Sequence, residues 1–311
     1  MNQMLIDLLG PEVPNHTAVS IGAFDGLHLG HCHILRETVE YALAQGLTSA
    51  AILFDPLPSQ YFGKIGPNDR ILLRSEQETR LHELGIERTI FLPFSRSIAD
   101  LSPEAFIDAM QQVLHCKRLF MGEDFSLGKN RSGNAEVLAA MGKDKGFTTK
   151  VIEKDVLDGD VISSTRIRAL LHAGKLCEAD KLLGYPFFFS GPIIHGDARG
   201  RKLGFPTLNV KIPEGKLALP NGVYAVNAVI DGVRYASVTN VGVRPTFGLE
   251  DKGVVAEAFL LNAAGNFYGE NAKLEFIEML REERRFDSAE ALKEQISRDI
   301  GQAEKILKVS N

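Results

Sequence analysis

Gly22-Ala23-Phe24-Asp25-Gly26-Leu27-His28-Leu29-Gly30-His31 is the stretch on which the fold of the first half turns. It continues an apolar run, Thr17 to Phe24, that predicts a strand. It leads into a helical pattern in which Ile34, Leu35, Val39, Ala42 and Leu43 form an apolar face ending at Gly46. A glycine-rich strand-to-helix turn points backbone N–H groups and the positive end of the helix dipole at whatever lies above it, so this geometry predicts an anion site. His28 and His31 are spaced i, i+3 and share a helix face, and Gly30 between them lets a ligand approach the backbone closely. Together the imidazoles can donate to one triphosphate, stabilising charge on phosphoryl oxygens and departing pyrophosphate without a covalent intermediate.

Outward from this turn, short apolar runs alternate with helical patterns. Ser49 to Phe54, Thr89 to Pro93, Arg118 to Met121 and Thr148 to Ile152 predict further strands. Ser75-Glu76-Gln77-Glu78 predicts a capping box, and Ser102-Pro103-Glu104 an N-cap with proline at the first helical position. The alternation predicts a Rossmann-like parallel α/β sheet with helices on both faces. After Gly184-Tyr185-Pro186 the texture changes to β-rich runs punctuated by Gly and Pro: Phe187 to Ile194, Gly222 to Ile230, Val233 to Val241 and Lys273 to Ile277. A small antiparallel β-barrel follows, closed by a helix over Ser288 to Lys308 with Ala289, Leu292, Ile296, Ile300, Ala303 and Ile306 at helical spacing. Because residues around Lys175 to Leu183 still read as helix, the domains are placed at 1–185 and 186–311. A chain of 311 residues is long enough for two cores.

Composition narrows the function classes. Thirty-five basic against 40 acidic residues give a net charge of −5, no electrostatic footprint for nucleic acid or an anionic membrane, so small molecules are the expected partners. Three widely spaced cysteines, Cys32, Cys116 and Cys177, argue against a disulfide framework and a Cys-type zinc site and fit a reducing cytoplasm. No run approaches bilayer length, and Met1 to Gly10 lacks a signal-peptide pattern, so a cytoplasmic, unprocessed chain is expected. The absence of a heptad seam leaves self-association into a homo-oligomer open.

Two further segments support a phosphate site in the first half. Ile162-Ser163-Ser164-Thr165-Arg166-Ile167-Arg168 places hydroxyls and guanidinium groups where a second phosphate loop is expected. Gly122-Glu123-Asp124-Phe125 follows a strand at the C-terminal sheet edge, where α/β ligands sit. Candidate nucleotide contacts are thus Gly22, Phe24, Asp25, Gly30, Asp124, Ser164, Thr165, Arg166 and Arg168. In the second half, the segment from Gly196 to Asn209 mixes glycines with Arg199, Arg201 and Lys202 and then supplies the Thr207 hydroxyl and the Asn209 amide oxygen. Two residues apart in a strand, those oxygens share a face and suit a Mg²⁺ held mainly by substrate phosphates. Gly-Lys-Ser/Thr is absent, so this is no Walker A loop.

In both halves the pattern resembles the bacterial bifunctional riboflavin kinase/FAD synthetases. The likeness is carried by Gly22 to His31, Phe54-Asp55-Pro56 with Pro58, Gly122 to Phe125 with Gly128, and Ile162 to Arg168. It continues through Gly200-Arg201-Lys202-Leu203-Gly204-Phe205-Pro206-Thr207-Leu208-Asn209, Asn221 to Tyr224, Asn240-Val241-Gly242 with Pro245-Thr246-Phe247, Tyr268-Gly269, and Arg281 with Phe286. The resemblance implies ATP-dependent phosphorylation of riboflavin to FMN in the barrel and adenylylation of FMN to FAD in the His-x-Gly-His half, with pyrophosphate released. It implies Gly196, Arg201, Lys202 and Gly204 as the kinase's ATP contacts, Thr207 and Asn209 as metal ligands, Glu257 as base, and Arg281 and Phe286 as flavin contacts. ATP, riboflavin and FMN are then substrates, with Mg²⁺ as cofactor. The chain departs from the family pattern at Leu57, where His is common, at Leu127, at Phe259 and at Asn266-Phe267. Leu57 supports an alternative, a riboflavin kinase whose first half binds nucleotide without making FAD. A flavin-responsive regulator of RNA would need a basic stripe interleaved with aromatics, which is not evident.

Overall fold

The computed structural model describes residues 3–194, 205–243, 254–263 and 267–309. Its contacts divide the chain into two compact units, Met1–Ser164 and Thr165–Asn311.

The first unit is built on five parallel strands: β1 (Thr17–Ile21), β2 (Thr48–Asp55), β3 (Arg88–Pro93), β4 (Cys116–Gly122) and β5 (Thr148–Ile152), in the order β3-β2-β1-β4-β5. Successive side chains serve opposite faces. On one face Val19, Ile21, Ala50, Ile52, Leu119 and Met121 join the core with helices α1 (Gln3–Leu9), α6 (Pro103–Leu114) and α7 (Ala135–Lys145). On the other, Ala18 and Phe120 meet Ala42 of α2 (Leu29–Gln45). Both faces are covered, as the alternating pattern predicts. Short helices α3 (Pro58–Tyr61), α4 (Arg74–Glu83) and α5 (Arg96–Ala99) lie in the crossovers, and a hairpin of β6 (Val156–Leu157) and β7 (Asp160–Val161) follows β5.

Ser102 caps α6 as expected, its Oγ accepting from the Ala105 N–H at 3.2 Å, with Pro103 following. Three local expectations are corrected. Strand β1 stops at Ile21 because Phe24 takes φ 47°, outside the extended region. The helix with Ser75 is capped two residues earlier than expected: Leu73 is the N-cap and the Glu76 carboxylate accepts its N–H at 2.8 Å, leaving Ser75 inside α4. On α2 the buried face is Cys32, Leu35, Thr38 and Ala42, while Leu43 is 76% exposed. Thr38 can occupy it because its hydroxyl donates to the Ile34 carbonyl at 2.8 Å.

Helix α8 (Ser164–His172) spans the division between units, and α9 (Leu176–Leu183) belongs to the second. There β8 (Phe188–Ile194), β9 (Leu208–Lys211), β10 (Gly222–Ile230), β11 (Val233–Val243), β12 (Val254–Leu260) and β13 (Asn271–Glu282) close an antiparallel barrel in the order β10-β11-β12-β9-β8-β13. Phe189, Tyr224 and Phe276 fill its interior edge to face, with centroids 4.9 and 5.4 Å apart. The last helix, α10 (Ala289–Leu307), starts at Ser288, whose Oγ accepts from the Ala291 N–H at 3.1 Å. It lays Ala303, Ile300 and Ile306 over Val223, Ala225 and Val238 on the barrel's outer face. Ala289, expected on that apolar face, is exposed in the first turn. Among the described residues no helix is long and apolar enough to cross a membrane.

A partly buried acid, Asp180, tunes the second unit. The Asp180 Oδ1 on α9 accepts the Phe187 N–H at 2.9 Å, yet burial outweighs that bond and pushes the carboxyl from 3.8 up to about 7. Between those values the folded chain holds a proton that the unfolded chain has released, so stability falls as pH rises through the window and levels off above it. Asp180→Asn keeps an acceptor for Phe187 and removes the buried charge. Thermal melts are expected to show the variant about 1–2 kcal/mol more stable near pH 8, and equal to the parent near pH 4, within a ceiling of about 4 kcal/mol set by the shift. Equal gains at both pH values would rule out this origin.

Candidate active sites

In the order β3-β2-β1-β4-β5 the chain steps outward from β1 to β3 and then returns to the other side of β1. The crevice between the C-terminal ends of β1 and β4 is therefore the switch point at which open α/β sheets take ligands. The Gly22–His31 turn leaves β1 there, and Gly122-Glu123-Asp124 leaves β4 beside it.

The turn is tightly wound. Phe24 and Leu27 have φ of 47° and 38°, and Gly26 of 84°. A Cβ on Gly22 would lie 3.0 Å from the Phe24 ring, so any side chain there would press on that ring. His28 is the N-cap of α2, and its Nδ1 accepts the His31 N–H at 3.3 Å. With Nδ1 accepting, the neutral ring carries its proton on Nε2, a tautomer assigned from the hydrogen bond. The His28 and His31 rings stack with centroids 3.6 Å apart and planes at 16°, and Phe24 stands edge-on to His31 at 5.4 Å. A Cβ on Gly30 would meet nothing closer than 3.5 Å, so its absence widens the space beside the paired imidazoles.

The other predicted contacts divide by position. The Asp25 carboxylate, 2% exposed, accepts the N–H groups of Ile71 and Leu72 at 3.1 and 3.2 Å, bracing the turn from below. Ser164 Oγ donates to the Asp25 carbonyl at 2.8 Å, tying the start of α8 to the same turn. Thr165, Arg166 and Arg168 follow on α8, Thr165 exposed and Arg168 buried. Asp124 is exposed and pairs with Lys154 at 3.3 Å; with Glu123 it raises the ammonium's pKa.

Sequence reasoning missed a cavity of about 420 Å³ in this unit, lined by Pro58, Phe62, Phe94, Arg96, Phe106 and Leu127 among others. Its walls come from segments after β2, β3 and β4, so it opens at the same C-terminal sheet edge. Phe94 meets Phe54, Tyr61 and Phe62 edge to face at 5.3 to 5.8 Å. The available signal was weak: aromatics after two different strands and Leu127 after a third, meaningful only once the strands are parallel. Leu57 is fully buried and Leu127 nearly so.

In the barrel, register assembles the second site. Directly opposed antiparallel residues share a face. Asn209 opposes Glu257, Glu257 opposes Asn240, Asn240 opposes Val223 and Val223 opposes Arg281, so five strands contribute one transverse row. Along β12, Ala256, Ala258 and Leu260 point inward, which turns Glu257 and Phe259 outward. Val223, Asn240, Glu257 and Arg281 of the row line a cavity of about 350 Å³ that also takes in Thr207 and Phe286, with Leu292 and Ile296 of α10. The buried Asp299 of α10 holds Arg281 through Nε at 3.0 Å and a second guanidinium nitrogen at 2.9 Å. Arg281 and Arg284 lie 5.6 and 5.0 Å from the Phe286 ring centroid. Phe205 and Phe259 pack edge to face at 5.4 Å. Asn240 lies in one of the segments that carry the resemblance but has no role assigned from sequence; its place in the row follows from register. Gly196, Arg201, Lys202 and Gly204 lie outside the described residues.

Asn209 is 4% exposed beside a carboxylate, with a hydroxyl two residues before it. Such an oxygen donor pair fits a divalent cation that arrives bound to nucleotide phosphates. Among the described residues no group of three His, Cys, Asp or Glu side chains could hold a metal ion.

A nucleotide-binding α/β unit with an imidazole-flanked anion turn, joined to a barrel with a carboxylate in an aromatic cavity, defines a two-part ATP-dependent transferase. Residues 10–166 match the FAD synthetase family and residues 183–307 the riboflavin kinase family. The bifunctional riboflavin kinase/FMN adenylyltransferase of Pseudomonas fluorescens is 36% identical over 293 residues, 93% of each chain. That of Bacillus subtilis is 35% identical, over 92% of this chain and 91% of its own. A crystal structure described as the macrolide-efflux protein of Streptococcus pneumoniae superposes with a TM-score of 0.86 at 28% identity, over 95% of this chain and 96% of that one. The chain belongs to the bifunctional riboflavin kinase/FMN adenylyltransferase family.

Proposed function

We propose that the second unit transfers the γ-phosphoryl group of ATP to the ribityl 5′-hydroxyl of riboflavin, giving FMN and ADP. The first unit then joins FMN to the α-phosphorus of a second ATP, giving FAD and pyrophosphate. The observation that carries this reading is the transverse row, which pairs Asn209 with Glu257 across two strands and places Glu257 in the wall of an aromatic cavity. Glu257 accepts the hydroxyl proton as the oxygen attacks. Arg281, held by Asp299, and Phe286 line the flavin's place. Thr207 and Asn209 would hold Mg²⁺, which when bound offsets charge on the phosphates. Gly196, Arg201, Lys202 and Gly204 complete the kinase's ATP site in this reading.

In the first unit, FMN's ring system occupies the cavity bounded by Phe62, Phe94 and Phe106, with Arg96 at its wall. The triphosphate lies over the N-terminus of α2, where His28 and His31 donate to oxygens that gain charge as pyrophosphate departs. Asp124, Ser164, Thr165, Arg166 and Arg168 flank the nucleotide. No covalent enzyme intermediate is needed, because the FMN phosphate is itself the nucleophile. The functional boundary is placed at 185/186, a reading supported by the start of the riboflavin kinase match at residue 183. The reading places both steps in the cytoplasm.

The test is product identity. Purified chain given riboflavin, ATP and Mg²⁺ is expected to yield FMN and then FAD by chromatography. No FMN would sink the proposal, and FMN that never becomes FAD would leave only the kinase half.

A further inference from the structure

The anion turn is strained: Phe24 and Leu27 are non-glycine residues at positive φ, each costing about 1–3 kcal/mol unless the surroundings hold it. What holds it comes from a segment some 50 residues later. Gln77, fully buried on α4, donates through Nε2 to the carbonyls of Phe24 at 3.0 Å and Ala23 at 3.3 Å. Its Oε1 accepts from Arg70 at 2.9 Å, and Arg70, 7% exposed, pairs with Asp55 at 2.5 Å. Asp55 ends β2, beside the strand that delivers the turn. A chain of hydrogen bonds, charge-assisted where Arg70 donates, thus runs from the sheet edge through a guanidinium and a carboxamide to the carbonyls of Ala23 and the strained Phe24.

We infer that Gln77, oriented by Arg70, is a positioning residue for adenylyl transfer; the inference rests on the function proposed above. An amide is needed at this position because the same side chain must accept from Arg70 and donate to two carbonyls. A carboxylate of equal size keeps the first bond and loses both of the others, placing negative charge against the Phe24 oxygen. The turn then relaxes toward ordinary φ values, and the Phe24 ring, which stands edge-on to His31, moves with it. The imidazoles lose the register in which they meet the developing charge, while the flavin cavity, built from other segments, is untouched.

The experiment is steady-state kinetics of both activities in full-length Gln77→Glu and Arg70→Lys. For Gln77→Glu, kcat for FAD formation is expected to fall about 30- to 100-fold with KM for FMN within about twofold, as for a group acting only on the transition state. Riboflavin phosphorylation by the same molecules, within about twofold of wild type, shows that the second unit is intact, and the unchanged KM for FMN shows that the first is folded. Arg70→Lys keeps a cation for Asp55 but not the forked geometry, and is expected to fall in between. FAD formation within about threefold of wild type in Gln77→Glu, or a loss confined to KM, overturns the inference. Wild-type protein that makes no FAD overturns the functional reading instead.

Discussion

Glu257→Gln is expected to lower riboflavin phosphorylation about 10³-fold, within the range that loss of a general base costs, while FAD formation from supplied FMN stays within about twofold. The substitution is isosteric, so the row Asn209–Glu257–Asn240 keeps its register and the cavity its volume. Only proton acceptance is lost. Because Glu257 faces outward from a strand whose alternate residues are packed in the barrel, the exchange leaves the core intact. The loss should fall on kcat, since riboflavin binding is assigned to the aromatic walls and to Arg281, which Asp299 holds independently. Anaerobic chromatography of the products, with each substrate supplied separately, measures both activities on one preparation. FMN formation above about a tenth of wild type would remove Glu257 from the role of base.

How far the fold could be read in advance depended on where its determinants lie in the chain. Local signals carried the parallel sheet, since β1 to β5 are separate short runs and every pairing but β1 with β4 joins neighbours in sequence. Ser102 and Ser288 cap their helices because an N-cap is a contact three residues long. The cap at Leu73 was misread because Ser75 matches the same spacing, and what decides between them is the tertiary seat of Gln77. Strands β9 and β12 were not delimited; β9 is four residues long, too short for a periodic signal. The sites show the same division. His28 and His31 are legible because they are neighbours on one turn, whereas Asn240 and the Phe62–Phe94 cavity are products of register and strand order. Asp25 illustrates the intermediate case: it lies within the motif, yet its carboxylate serves the backbone of Ile71 and Leu72.

Leu57 bears on which half is active, and the remaining large effect decides it. His31→Ala is expected to reduce FAD formation about 10²- to 10³-fold, the range for removing one donor aimed at developing charge, with KM for FMN and riboflavin phosphorylation unchanged. The helix start survives, because the bond that caps it runs from the His31 backbone N–H to His28 Nδ1 and does not use the deleted ring. What is lost is the imidazole stacked 3.6 Å from His28. If both rings serve one triphosphate, the pair should behave as a unit, and His28→Ala/His31→Ala should cost little more than the worse single variant. If they act at separate places, their effects should multiply. A His31→Ala variant that still makes FAD at the wild-type rate would show that adenylyl transfer does not take place at the Gly22–His31 turn. The stacked geometry argues for the first outcome, since two rings in van der Waals contact, with the His31 backbone N–H bonded to the His28 ring, cannot present their donors to distant phosphates.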